Sequence, residues 1–390
     1  MRYDFDRIID RRNTSCLKYD FATENGKPED VLPLWIADMD MSTAPAVIEA
    51  LANRARHGIF GYSMPKYDYF SAVANWFKIR HGWEADPEKF ICTPGVVFAI
   101  CTLIRAVTEL DDAVLICQPV YYPFSTAVTN NGRKLVVSEL AYKNGRYTVD
   151  FNDFERKITE NHVRAFILCS PHNPVGRVWT REELERMGDI CLKHGVFVIS
   201  DEIHADFTFD GHRHIVFPTI KKEFEKNCAV CTSPSKSFNL AGLQISNIYI
   251  PDSAVRKKFE AELDMVGYWE PNVAGTVACH AAYTNGADWL DELKSYLKGN
   301  LDFVRGYLNE NLPELKLIEP EGTYLAWIDC RALKLTDETL QYVVENMAKL
   351  WLDDGYMFGA GGSGFERINL ACPRATLKTA LERLKAALSS

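Results

Sequence analysis

The run Thr180-Arg181-Glu182-Glu183-Leu184-Glu185-Arg186-Met187-Gly188-Asp189-Ile190-Cys191-Leu192-Lys193-His194-Gly195-Val196-Phe197-Val198-Ile199-Ser200-Asp201 decides the fold. Thr180 and Glu183 have the spacing of a capping box, so a helix starts there. Gly195 stands where a left-handed C-cap is wanted. A short apolar strand follows at 196–200 and ends on a carboxylate. The same alternation continues outward on both sides. Candidate strands lie at 90–93, 113–117, 134–137, 165–169, 229–232 and 245–250, with helical patterns between many of them. Such alternation predicts an α/β fold, a mostly parallel seven-stranded sheet covered by helices. Ligands of such sheets bind beyond the carboxyl ends of the strands.

Beyond this core, 45–57 reads as a helix, with Pro45 at its first position and Gly58 at its end. A second helix follows Asp68 and stops near Gly82. Helical patterns recur at 253–268, 288–311, 337–353 and 376–388, and strands at 316–318, 324–329 and 366–370. The expected division is an arm at 1–45, a large domain at 46–287 and a smaller α+β domain at 288–390, the arm joining the smaller domain.

The chain has 390 residues, 47% of them hydrophobic, which is ample for a large core. Lys and Arg number 44 against 53 Asp and Glu, a net charge of −9 with no basic block. That disfavours phosphate-backbone binding, so no nucleic-acid partner is expected. The eleven cysteines are scattered and odd in number, which suits a reducing cytoplasm better than a disulfide framework. No apolar run is long enough for a signal peptide or a membrane span.

Three strand ends carry candidate chemistry. Thr232-Ser233-Pro234-Ser235-Lys236-Ser237-Phe238-Asn239 is a polar loop if taken alone. A lysine there also suits Schiff-base chemistry, provided that burial strips its charge. Asp201, in Ser200-Asp201-Glu202-Ile203-His204, caps a strand or pairs with a protonated pyridine nitrogen. Asn173, in Ser170-Pro171-His172-Asn173-Pro174-Val175-Gly176, closes a rigid turn and has an amide to offer.

Asn173, Asp201 and Lys236, in this order on successive strand ends, resemble the fold-type I pyridoxal-phosphate enzymes of the aminotransferase class I/II superfamily. Four words narrow the resemblance: Pro33-Leu34-Trp35-Ile36-Ala37-Asp38-Met39-Asp40, Ser200–His204, Ser235–Gln244 and Asn369-Leu370-Ala371-Cys372-Pro373-Arg374. Together they are similar to the MalY/PatB-type cystathionine β-lyases, also called cysteine-S-conjugate β-lyases. The likeness spans essentially the whole chain.

The resemblance implies that pyridoxal 5′-phosphate is the cofactor, held as a Schiff base on the catalytic Lys236. It implies that Asp201 partners the pyridine nitrogen and that Asn173 bonds the phenolic oxygen. Tyr121 would stack on one ring face and Ile203 on the other. The backbone of Val96 and Val97, with the Ser233 hydroxyl, would take the phosphate. Tyr62 would reach a neighbouring subunit's site, so a homodimer is implied. Arg374 would fork onto the substrate α-carboxylate, with Ala37, Tyr121 and Asn173 beside the substrate. His204 and Gln244 stand where aminotransferases usually have tyrosine and arginine. Both departures favour β-elimination of cysteine thioethers, giving thiol, pyruvate and ammonia, over the alternative of transamination. A non-catalytic cofactor-binding regulator is a further alternative.

Other patterns take ordinary readings. Cys228 and Cys231 form a CxxC without a second ligand pair, so no metal is expected. His212-Arg213-His214 reads as a surface turn. Gly359-Ala360-Gly361-Gly362-Ser363-Gly364 reads as a mobile loop near Arg374.

Overall fold

The computed structural model describes residues 2–209 and 211–389. Fourteen strands occur among them. β1 (Leu32–Pro33) lies in the arm. The large sheet holds β2 (Phe90–Thr93), β3 (Ala113–Gln118), β4 (Lys134–Lys143), β5 (Arg146–Val149), β6 (Val163–Cys169), β7 (Phe197–Asp201), β8 (Cys228–Thr232) and β9 (Ser246–Tyr249). The C-terminal part adds β10 (Lys316–Ile318), β11 (Leu325–Asp329), β12 (Leu350–Trp351), β13 (Asp353–Asp354) and β14 (Phe365–Asn369).

The large sheet runs β2-β9-β8-β7-β6-β3-β4-β5. From β8 to β4 the pairings are parallel, and β9 is antiparallel to both its neighbours. All seven expected strands are present. The eighth, β5, closes a hairpin on β4. Asn144-Gly145 between alternating runs is the signal that marks such a turn.

Alternate side chains leave the sheet on opposite faces. Leu115, Phe166, Leu168 and Val198 enter one core with Leu184 and Met187 of the helix Arg181–Lys193. Val114, Ile116, Ile167 and Ile199 enter another with Ile100 and Leu103 of the helix Val96–Val107. Both faces are thus covered, and the continuous apolar runs of β3, β6 and β7 follow from that. The capping box at Thr180 and Glu183 is formed.

The smaller sheet, β10-β11-β14-β13, is antiparallel throughout. β1 pairs in parallel with β12, which lays the arm against the C-terminal part. The helix Ala287–Asn311 serves two cores. Trp289, Leu290, Leu293 and Leu297 pack with Val47 and Val73, whereas Leu301, Val304 and Leu308 pack with Ile368 and Leu377. The helix expected over 337–353 ends early. It runs as Asp337–Tyr342 and a π-turn Val343–Met347, and the chain then enters β12.

Candidate active site

The carboxyl edge of the large sheet opens onto a cavity of about 530 Å³. Asp201 enters it as the last residue of β7, and Lys236 from the one-turn helix Pro234–Ser237 just past β8. Asn173 comes from the turn after β6, and Tyr121 from the turn after β3. Val96 and Val97 open the helix Val96–Val107, whose start no side chain caps. Its first N–H groups and the helix dipole therefore face the cavity without a competing oxygen. A Cβ on the preceding Gly95 would meet nothing within 4 Å, so there is room at this helix end.

Lys236 Nζ donates to the Ala37 carbonyl at 2.7 Å, which also accepts Tyr324 Oη–H at 3.0 Å. Burial lowers the Lys236 pKa to about 8, with Arg367 pushing the same way and Asp38 and Asp201 opposing. Burial likewise raises Asp201 to about 7, against the Ile203 N–H that its carboxylate accepts at 3.1 Å and the nearby Lys236. Burial and the two cations Lys236 and Arg367 hold His204 neutral, and its ring meets Tyr324 edge-on. Asn173 Oδ1 accepts Arg367 Nη1–H at 3.0 Å, which leaves the Asn173 amide N–H groups for the cavity.

The cavity gathers Ala37, Val96, Val97, Tyr121, Asn173, Asp201, Ile203, His204, Ser233 and Lys236. Ser233 also has a local duty. Its hydroxyl donates to the Ile245 carbonyl at 2.7 Å and caps the lysine turn by accepting Ser235 N–H at 3.0 Å. Ser235, unmarked in the sequence reading, also lines the cavity, as does Gln244.

Two expected residues lie elsewhere. Arg374 is corrected. It begins the helix Arg374–Leu388, its Nε donates to Asn300 Oδ1 at 2.6 Å, and its guanidinium lies over Phe303. The arginine in the cavity is Arg367, in the middle of β14. Arg367 pairs with the buried Asp353 and donates to the Trp35 carbonyl at 2.8 Å. Nearly complete burial of an arginine is uncommon and needs such partners. Tyr62 is 88% exposed, and its ring lies 6.0 Å from that of Trp269.

The secondary motifs also resolve. Gly359 packs against the Gln118 side chain and Gly361 against Pro119, so the glycine stretch lies beside the cavity's Tyr121 turn and not beside Arg374. His214 turns inward, its Nε2 2.6 Å from Glu202 Oε2, while His212 and Arg213 stay exposed. Cys228 and Cys231 are fully buried in β8, and burial pushes both thiols up. Among the described residues no three His, Cys, Asp or Glu side chains are grouped to hold a metal ion. No described helix is long and apolar enough to cross a membrane.

A lysine amine, a strand-end carboxylate and an open helix start, gathered at the edge of a doubly covered sheet, define a class. The chain belongs to the aminotransferase class I and II family, whose model matches residues 29–384. Within it, the chain is 43% identical to cystathionine β-lyase PatB of Bacillus subtilis, over 99% of this chain and 100% of that one. It is 38% identical to the protein MalY of Escherichia coli, over 96% of each. Cystalysin from Treponema denticola, solved with a pyridoxal 5′-phosphate cofactor, superposes with a TM-score of 0.96 at 39% identity, covering 100% of this chain and 99% of that one.

Proposed function

We propose that the chain is a pyridoxal-phosphate-dependent carbon–sulfur lyase that eliminates thiol from the β-carbon of cysteine thioethers such as cystathionine, leaving pyruvate and ammonia. The observation that carries this reading is the convergence of Lys236 and Asp201 on one cavity, each with its pKa moved toward neutrality. The donor set fits the cofactor. A lysine near pKa 8 has a usable neutral amine for an aldehyde. A buried carboxylate that resists ionisation is relieved by a protonated ring nitrogen. When bound, pyridoxal phosphate supplies the electron sink that stabilises negative charge at the substrate's Cα.

The chain's residues do the rest. Lys236 Nζ would be the base that takes the Cα proton, since its lowered pKa suits that transfer. Asp201 would keep the ring nitrogen protonated. Asn173, its own carbonyl held by Arg367, would donate its amide N–H to the ring's phenolic oxygen. Tyr121 and Ile203, which both line the cavity, would pack against the ring. The N–H groups of Val96 and Val97, with the Ser233 and Ser235 hydroxyls that bond each other at 2.9 Å, would take the phosphate. Arg367 takes the α-carboxylate, a pairing that suits a planar two-pronged donor. This fixes the Cα–H bond relative to the ring, the orientation that the reaction needs.

The same reading includes a homodimer and a cytoplasmic location. Ile59, Phe60, Tyr62, Met64 and Tyr67 form an exposed apolar stretch suited to a second copy. All eleven cysteines are free thiols, as suits a reducing compartment. Two assays on the holoenzyme test the activity. Cystathionine should give pyruvate and thiol in equal amounts without any 2-oxoacid. Conversion of the cofactor to its pyridoxamine form, reversed by a 2-oxoacid and without thiol release, would assign transamination instead.

A further inference from the structure

Behind the cavity, facing away from it, a second set of buried groups ties the Lys236 turn to the Asp201 turn. Ser237 follows Lys236 on the helix Pro234–Ser237, and its hydroxyl donates to Asp206 Oδ2 at 2.5 Å. The same carboxylate accepts Trp76 Nε1–H at 3.2 Å and meets His81 Nε2 at 3.0 Å. Trp76 and His81 both belong to the helix Tyr67–His81. Asp206 ends a compact pair of turns in which Ala205 N–H bonds the Glu202 carbonyl and Phe207 N–H the His204 carbonyl. Asp206, Ser237 and Trp76 are all buried.

The arrangement is reciprocal. One turn sends Asp201, Ile203 and His204 into the cavity and Asp206 to the back; the other sends Lys236 forward and Ser237 back. The bond at the back closes a loop around the two groups at the front. We propose that Asp206 is a positioning residue: through Ser237 it fixes the backbone of Lys236 relative to Asp201, and so sets how far Lys236 Nζ travels between its holding and proton-transfer positions. This rests on the reading of Lys236 as the base.

A carboxylate suits that duty. Its burial is offset by three donors, and His81, Ser237 and Arg80 hold its pKa at about 2, so it keeps its charge throughout the working pH range. Hydrogen bonds to a buried charge are the stronger kind, and removing one partner leaves the charge under-satisfied. The charges that act on Lys236 itself are Asp38, Arg367 and Asp201. Asp206 therefore works by geometry. A small misplacement of a reacting group costs up to about a hundredfold in rate.

The test uses holoenzyme carrying Ser237→Ala or Asp206→Asn and cystathionine deuterated at Cα. The Ser237→Ala enzyme should lose roughly tenfold in kcat, keep KM within about twofold, and show a larger primary isotope effect, because proton transfer becomes slower than the other steps. Asp206→Asn should show the same pattern more strongly. The Ser237→Ala apoprotein should also capture added pyridoxal phosphate more slowly, followed by the visible band of the lysine-bound cofactor. A purely structural role lowers only the active fraction and leaves KM and the isotope effect as in wild type. That outcome, or wild-type kcat in Ser237→Ala, overturns the proposal. If Asp206→Asn fails to fold, Ser237→Ala decides alone. If wild-type enzyme releases no pyruvate, the lyase reading fails, while the capture rate still tests the brace.

Discussion

Lys18, in the arm, and Lys236, at the sheet edge, are both withdrawn from water, and the protein treats them in opposite ways. Lys18 Nζ lies 2.9 Å from Asp40 Oδ2 and 3.5 Å from Asp38 Oδ1, and Arg11 reaches the same two carboxylates at 2.7 Å each. Among the described residues, Lys236 is offered only the Ala37 carbonyl at hydrogen-bond distance. One segment, Ala37–Asp40, partners both. Direct contact with carboxylates repays the desolvation of an ammonium, and the result is a structural tie. A carbonyl repays much less, so Lys236 gives up its proton near pH 8 and becomes an amine with chemistry available.

Exchanging the two duties should break the molecule in two different ways. Lys236→Ala should abolish the visible band of the bound cofactor and lower cystathionine turnover roughly 10⁴-fold, with the fold retained, as read by absorbance, pyruvate release and thermal melting. Retained turnover in that variant would erase the distinction. Lys18→Met should act on stability. It leaves Asp40 buried with Arg11 as its remaining cation, and unfolding should become easier by about 3 kcal/mol in a denaturant titration.

The difference has a pH signature in the apoprotein. Lys236 binds its proton less readily when folded, with a pKa of about 8 against the ordinary 10.5. Between those values the unfolded chain holds more protons, so stability rises with pH across about 8 to 10.5 and the cost is fully present below 8. The wild-type curve should show this rise relative to Lys236→Ala, about 3 kcal/mol in all, measured by denaturant titration at several pH values.

Two arginines extend the contrast to smaller effects. Arg367→Lys keeps a charge opposite Asp353 but loses the fork, and kcat/KM for cystathionine should fall roughly a hundredfold. Arg374→Ala should leave kcat/KM within about threefold of wild type and cost about 1 kcal/mol of stability through the lost Asn300 bond and packing. Reversed effects in the two variants would return the carboxylate to Arg374.

Those arginines also show where the sequence was legible. Groups at strand ends announce themselves, because a run such as Val196–Ser200 must be buried and the polar residue that follows must lie at the sheet edge. Asn173, Asp201 and Lys236 are all found that way and share one cavity. Arg367 sits inside a strand. Its burial depends on Asp353 of the neighbouring strand, a contact made only when β13 and β14 pair. The resemblance sends Arg374, after Pro373, to the substrate carboxylate, yet Asn300 from a distant helix takes its Nε–H. Two charged residues, Glu366 and Arg367, within one short strand were the available signal. The Asp206–Ser237 bond was equally hidden, since it joins residues whose separate turns carry no mark of their meeting. Tyr62 lies exposed beside Trp269 and is not among the residues that line this chain's cavity.

Chemical trapping of the cofactor addresses the central claim most directly. The holoenzyme is reduced with borohydride, digested, and its peptides are mapped by mass spectrometry. The pyridoxyl group should lie on Lys236 alone, in the peptide containing Ser235-Lys236-Ser237. Label on any other lysine, or no covalent label on a protein that turns over cystathionine, would contradict the account.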